Sequence, residues 1–340
     1  MVLPVKIAAA AGVSLAAMAR TRLYRNGVLA AEDFNPAEIS DHLAEPGVTM
    51  WLDMCEPDES DLATISEELG LHRLAVEDAV HEHQRPKLDH YETHLFLAAY
   101  LARVDADTEK LSTSEISAFI TPTALVTVRK ERSFDIEQVV ARWDTNADLA
   151  KSGVAFLLHG VLDFIVDSHI DAAQLLDERI EQIEEALFAE SVNLEPLQRR
   201  SYRLRRSIMG LRKVAGPMRE VLEGVLRHGS HLVDKTMRPY FGDVQDHVLK
   251  TAGRIEALRD LAATLRETEL TVQSNQLNVI MKKVTSWAAI IAVPTLITGF
   301  YGQNVTYPGI NTEWGFWVST LVIIVASVGL WWSFRRRNWL

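Results

Sequence analysis

KKVTSWAAIIAVPTLITGFYGQ, residues 282–303, is the stretch on which the fold turns. Beyond Lys282 and Lys283 no formal charge occurs until Glu313, and GFWVSTLVIIVASVGLWWSF at 315–334 is again uncharged before Arg335, Arg336 and Arg337. Each run matches the ~20 residues that cross a ~30 Å hydrocarbon layer at ~1.5 Å per residue. Two membrane spans are therefore predicted, 284–303 and 315–334, joined by a loop at 304–314. Lysine and arginine stay on the cytosolic side, so both termini are expected in the cytosol, with the loop outside and 335–340 as a basic cytosolic tail. Trp314, Trp317, Trp331, Trp332 and Trp339 fall near the two interfaces, where an indole finds apolar and polar surroundings together.

Two helices enclose no interior, so an aqueous path needs several copies around an axis. Along the first span, Asn278, Met281, Thr285, Ala288, Ala292, Thr295, Gly299 and Gln303 share one helical face at spacings of three and four, with Val284 on or beside it. That small, weakly polar face suits a pore lining. The plainer alternative is that small residues merely let helices pack closely. Pro294 is expected to bend or loosen the helix.

Upstream the chain changes character. Its 46 acidic against 35 basic residues give a net charge of −11, which speaks against nucleic acid and for cations. A single cysteine, Cys55, excludes an intramolecular disulfide. Lys6 and the alanine-rich run after it loosely imitate a secretory signal, but 1–20 is read as a tail expected to lack order. Strands are predicted at Gly47–Met54, Thr93–Ala102, Glu115–Thr121 and Thr123–Arg129. Helices are predicted at Ser60–Gly70, with Asp58 or Ser60 as cap, and at Leu71–His81. Residues 21–150 thus read as an α/β domain. From 151 to 283 helical periodicity takes over: an acidic helix striped by Val161, Ile165, Ala172, Leu176, Ile180, Ile183 and Leu187, and a basic return helix from Leu194 to about Arg227 expected to attract it. From about Pro239 a third pattern runs without a clear break into the first span, predicting one helix of about sixty residues, or about 90 Å. The expected fold is an α/β cytosolic domain, a stalk of long, coiled-coil-like helices and two C-terminal transmembrane helices.

Three groups of residues carry a family likeness: Tyr301-Gly302-Gln303-Asn304 at the end of the first span, Arg335-Arg336-Arg337-Asn338-Trp339-Leu340 at the C-terminus, and Leu74-Ala75-Val76-Glu77-Asp78 followed by His83-Gln84-Arg85-Pro86-Lys87. From about Val48 to Leu340 the chain resembles the CorA family of magnesium and divalent-metal transport proteins, with Gln303 where the family's Gly-Met-Asn signature has methionine. The resemblance implies a homopentamer, a funnel-shaped cytosolic domain, a pore lined by the first span, and a selectivity filter at Gly302, Gln303 and Asn304. It also implies regulatory Mg²⁺ between neighbouring subunits, with Asp78 matched to Glu267, and Glu77 to Asp163 and Asp243; Glu267 stands where aspartate is usual, and Asp246 and Asp167 are neighbouring candidates. For any one of these acids the plainer reading is a solvated helix face.

Such residues suit the chemistry. Mg²⁺ holds its water tightly, so a neutral ring of Asn304 amides can hydrogen-bond to the hydrated ion without trapping it. Glu313, repeated around an axis, would raise the local cation concentration at the outer mouth. Passive entry driven by membrane potential suffices, and no phosphate-binding Gly-Lys-Ser/Thr loop or organic cofactor is predicted. The partners expected are further copies of the chain, the lipid bilayer and divalent cations, with Mg²⁺ transported and Co²⁺ or Ni²⁺ as further cargo. Two rivals stand beside this reading: a Zn²⁺ transporter of the same architecture, suggested by His72, His81, His83, His90 and His94, and a membrane-anchored scaffold or sensor. Catalysis is not expected, because Cys55 and His72 lack a supporting nucleophile motif. The sequon Asn304-Val305-Thr306 abuts the membrane and is read as chance.

Overall fold

Leu95–Val104 is apolar at nearly every position, the pattern of a strand covered on both faces. In the computed structural model of the protein it lies within a seven-stranded sheet with helices on either side. The structure describes residues 19–35, 38–43, 45–81, 85–189, 193–229, 232–303, 306, 309 and 312–340. Among these the strands are β1 (Ala19–Arg25), β2 (Val28–Glu32), β3 (Val48–Cys55), β4 (Lys87–His90), β5 (Leu95–Val104), β6 (Leu111–Ile120) and β7 (Ala124–Arg129), ordered β2-β1-β3-β7-β6-β5-β4. All neighbours pair antiparallel except β3 with β7. Period-two alternation sorts the side chains into two cores. Leu95, Leu97, Ala99 and Leu101 join Trp51, Ile116, Ala118 and Leu125 on one face, and Phe96 and Ala98 join Met50, Leu52, Phe119 and Val126 on the other.

The second face is covered by α1 (Ile39–Leu43), α2 (Glu59–Leu69) and α3 (Arg73–Val80). Asp58 caps α2, accepting from the Asp61 amide at 2.8 Å while Asp61 Oδ2 accepts from the Asp58 amide at 3.0 Å, a reciprocal box. The first face is covered by α4 (Ile136–Thr145), α5 (Val154–Leu187), α7 (Met218–His228) and the start of α8 (Arg238–Tyr301). A last helix in this part, α6 (Leu194–Ala215), packs along α5, and α9 (Glu313–Arg336) ends the chain. A buried ion pair locks the sheet's centre: Arg129 donates from Nε and Nη2 to Asp53, whose Oδ1 also accepts from the Thr127 hydroxyl at 2.7 Å.

Three expectations change. The return helix predicted from Leu194 to about Arg227 is two, α6 and α7, because Pro217 has no amide hydrogen and its ring clashes with the preceding turn. The acidic and basic helices do meet, but no ion pair among the described residues joins them to each other; Asp177 pairs with Arg254 of α8 at 3.2 Å, and Arg212 with Glu256 of α8 at 2.5 Å. Ser60 does not cap α2; its hydroxyl donates to Asp58. The first hairpin and β4 were not expected. Asn26 and Gly27, at φ 52° and 78°, make the left-handed turn that joins β1 to β2.

Contacts divide the chain into a unit ending at Thr264 and a unit beginning at Leu265. The helix α8 runs 64 residues without interruption, as the unbroken apolar pattern predicts, with Pro294 inside it. Both α8 and α9 contain a window long and apolar enough to cross a membrane, with mean hydropathy of 1.5 and 1.8 and nearly all of it exposed.

Candidate ion path and acidic sites

Helical continuity keeps the proposed lining in register. Because α8 does not break at Pro294, Asn278, Met281, Thr285, Ala288, Ala292, Thr295 and Gly299 share one face of a single helix, with Val284 beside it. All are exposed; Met281 is 67% and Val284 63% accessible. The flanking Trp287, Ile291 and Leu296 are equally bare, so one chain covers neither an apolar nor a small-residue face of this helix. The hydroxyls of Thr295 and Thr298 donate back to the Ile291 and Pro294 carbonyls, both at 2.9 Å. The Thr298 bond engages the carbonyl of the very residue that interrupts the ladder.

At Tyr301 the helix stops, and the Gly302 amide donates to the Thr298 carbonyl at 2.8 Å. A Cβ at Gly302 would lie 3.1 Å from that carbonyl oxygen, tighter than an ordinary contact. Gln303 is exposed; Asn304 lies outside the described residues. Glu313 opens α9, where the helix N-terminus favours its charge.

The acidic candidates divide between elements. Glu77 and Asp78 ride on α3, which His72 caps by accepting from the Leu74 amide at 3.2 Å. Asp163 lies on α5, and Asp243 and Glu267 on α8. Glu77, Asp243 and Glu267 are exposed. Asp78 and Asp163 are not bare carboxylates. Lys87 Nζ lies 2.7 Å from both Asp78 and Asp89, and Arg142 is paired with Asp163 and, at 2.7 Å, with Asp167. His159 feels Asp163 and Asp243 together; burial holds its imidazole below the usual range while both carboxylates oppose that shift. Of the neighbours, Asp167 shares Arg142 and Asp246 is paired with Lys250 at 2.7 Å. Neither Lys87 nor Arg142 was singled out in the sequence as a partner of these acids. Within one chain no three His, Cys, Asp or Glu side chains among the described residues are arranged to hold a metal.

Of the clustered histidines, His72, His81 and His94 make contacts within the fold. His72 and His94 each stack on Tyr91, at 4.6 and 5.0 Å between ring centroids, and His94 is buried, which pushes its imidazole down. His81 Nδ1 lies 2.9 Å from the Glu77 carbonyl, and His83 lies outside the described residues.

Against known proteins, residues 47–336 match the family model for CorA-like Mg²⁺ transporter proteins. The chain belongs to the CorA family. Its members are transporters, not enzymes. The chain is 30% identical over 293 residues to the cobalt/magnesium transport protein CorA of Thermotoga maritima, covering 85% of this chain and 83% of that one. It is 27% identical to the putative metal ion transporter YfjQ of Bacillus subtilis, covering 85% and 89%. Among solved structures, the complete CorA magnesium transporter from Methanocaldococcus jannaschii superposes with a TM-score of 0.75 at 21% identity, over 95% of this chain and 99% of that one. The CorA fold is thus present from the N-terminal α/β part through the two C-terminal apolar helices.

Proposed function

We propose that the protein is a passive Mg²⁺ channel subunit, with Co²⁺ or Ni²⁺ as further cargo, that assembles as a homopentamer in a cell membrane with both termini in the cytosol. The observation that carries this reading is the bare, small, weakly polar face of α8, kept in register through the apolar window of a family whose relatives are named as magnesium and cobalt transporters. Copies meeting along that face would line a path with Thr285, Ala288, Ala292, Thr295 and Gly299, none of which carries a charge able to hold a divalent ion.

Selection in this reading falls to Gly302, Gln303 and Asn304. Amide oxygens accept from the waters around Mg²⁺, so the ion enters hydrated and the cost of stripping its shell is avoided. Gln303 supplies a second amide where methionine would supply an apolar thioether, and so extends the polar ring. Glu313 concentrates cations outside. Membrane potential drives entry at about 5 kcal/mol per 100 mV for two charges. On the cytosolic side, divalent cations bound between subunits by Asp78 and Glu267, and by Glu77, Asp163 and Asp243, draw neighbours together and close the path; Lys87 and Arg142 are the ions they must displace.

Mg²⁺ uptake into dye-loaded proteoliposomes under an inside-negative potential tests the reading. Rapid uptake that Asn304→Ala abolishes supports it. Zn²⁺ flux without Mg²⁺ flux points to the zinc transporter, and no flux of any ion through assembled protein points to a scaffold.

A further inference from the structure

In a chain with 46 acids and 35 bases, one helix is strongly reversed: α6 carries Arg199, Arg200, Arg203, Arg205, Arg206, Arg212 and Lys213 against Glu195 alone. Part of that charge is neutralised. Arg199 pairs with Glu195, Arg200 holds the buried Glu109 at 2.6 Å, and Arg212 pairs with Glu256. Arg206 and Lys213 have no acidic partner among the described residues, and neither does Lys110, the residue before β6. All three line one cavity of about 540 Å³ between that strand and α6. Arg203 joins them, with Nε donating to the Thr108 carbonyl at 3.2 Å and Nη2 3.7 Å from Glu109. The rest of the lining includes Thr108, Thr113 and Ser207, and no acidic side chain is among it.

Four cations around one cavity repel one another, and an acidic protein offers many carboxylates that could have relieved them. Three of them stand on one helix and Lys110 lines the same cavity from beside β6, a grouping that suits an anion with several charges. Gly210 brings α6 so close to β6 that a Cβ there would lie 2.7 Å from Leu111 Cδ2. A second cavity of about 920 Å³ shares Lys213 and Val214 with it and brings Tyr100, Met209, Pro86 and Ile255 together, with Arg85, Arg212, Glu220 and Glu256 also in its lining. Guanidinium and ammonium groups with hydroxyls at one end and flat apolar surface at the other match a phosphate chain joined to a ring.

We propose that this cavity binds a polyphosphate anion of the nucleoside-triphosphate class, with the phosphates on Lys110, Arg203, Arg206 and Lys213. The ligand differs in charge sign and location from the divalent cations of the acidic sites, so the proposal does not depend on transport being passive or on which metal is carried.

Titration calorimetry on the purified full-length chain, with ATP, inorganic triphosphate and adenosine as probes, tests it. ATP and triphosphate are expected to bind and adenosine not. Arg206→Gln and Lys213→Gln, both on exposed positions, each weaken ATP by about tenfold, whereas Arg199→Gln, outside the cavity, leaves it unchanged. Equal affinity for triphosphate and ATP assigns recognition to the phosphates alone; tighter ATP adds the neighbouring apolar cavity. In the wild-type chain ATP should also slow acetylation of Lys110 and Lys213 but not of Lys250, a readout that needs no variant. Absence of ATP and triphosphate binding, binding indifferent to both substitutions, or equal protection of all three lysines overturns the proposal.

Discussion

Lys87 and Arg142 decide how an acidic site behaves before any metal arrives. Each holds a carboxylate of the proposed regulatory set with its own chain's charge, and a second carboxylate with the same group. A cation bridging two subunits must displace them. Removing Lys87 as Lys87→Met leaves Asp78 facing Asp89 with no counter-ion, which favours an incoming divalent ion. The internal Mg²⁺ concentration that half-closes the channel is expected to fall about fivefold, the worth of a ~1 kcal/mol part-exposed pair, and uptake recorded at graded internal Mg²⁺ checks this. His169 makes a different kind of prediction. It is fully buried on α5, its Nε2 lies 2.8 Å from the Tyr100 carbonyl, and burial depresses its pKa from 6.5 to about 4. The unfolded chain therefore binds the extra proton first as pH falls below 6.5, so the folded state loses stability between pH 6.5 and 4, by up to about 3 kcal/mol. Thermal melts across that window should show the loss, and His169→Gln, which keeps a donor for the carbonyl and cannot titrate, should flatten it.

At the scale of elements, α4 approaches α5 closely in the unit that ends at Thr264. Trp143 lies against Gly160, where a Cβ would sit 2.7 Å from Trp143 Cδ1, while the indole donates to the Leu157 carbonyl at 3.2 Å and meets Trp51 edge to face at 4.8 Å. Gly160→Ala must push the indole away and is expected to destabilise the fold by about 1–3 kcal/mol, seen as a lowered melting temperature, whereas alanine at Gly253, with open space around it, should cost nothing of that kind. The elements that were legible share a cause. The centre of the sheet and α8 are long runs of one periodicity, which packing on two sides or helical continuity imposes on the sequence itself. β1 was hidden because Arg20, Thr21 and Arg22 interrupt its apolar pattern: Arg22 is buried, yet paired with Glu32 and Asp144, and such a tertiary ion pair leaves no local signal. The turn at Asn26 and Gly27 was the readable clue to that hairpin. The break at Pro217 was readable too, but the basic run on both sides masked it. Among the site residues, the shared face of α8 follows from spacing alone, whereas the counter-ions Lys87 and Arg142 come from other elements and could be found only by folding.

For the whole molecule the question is what supplies the work of transport. Two apolar helices per chain and a bare face along α8 leave any path to be formed by several copies. If entry is passive, a divalent ion responds only to its concentration and to the membrane potential, at about 5 kcal/mol per 100 mV. Uptake into proteoliposomes with equal Mg²⁺ on both sides should then stop when the potential is clamped to zero, rise as the interior is made negative, and reverse when it is made positive. Added ATP outside, with free Mg²⁺ kept equal on the two sides, should change none of these directions, even where it binds. A carrier coupled to another ion would instead keep moving Mg²⁺ at zero potential whenever the second gradient was imposed, and its rate would saturate with voltage. The reversal potential separates the two, because for a passive Mg²⁺ path it shifts with the Mg²⁺ ratio alone, by about 30 mV for each tenfold change in that ratio, the conversion for a two-charge process.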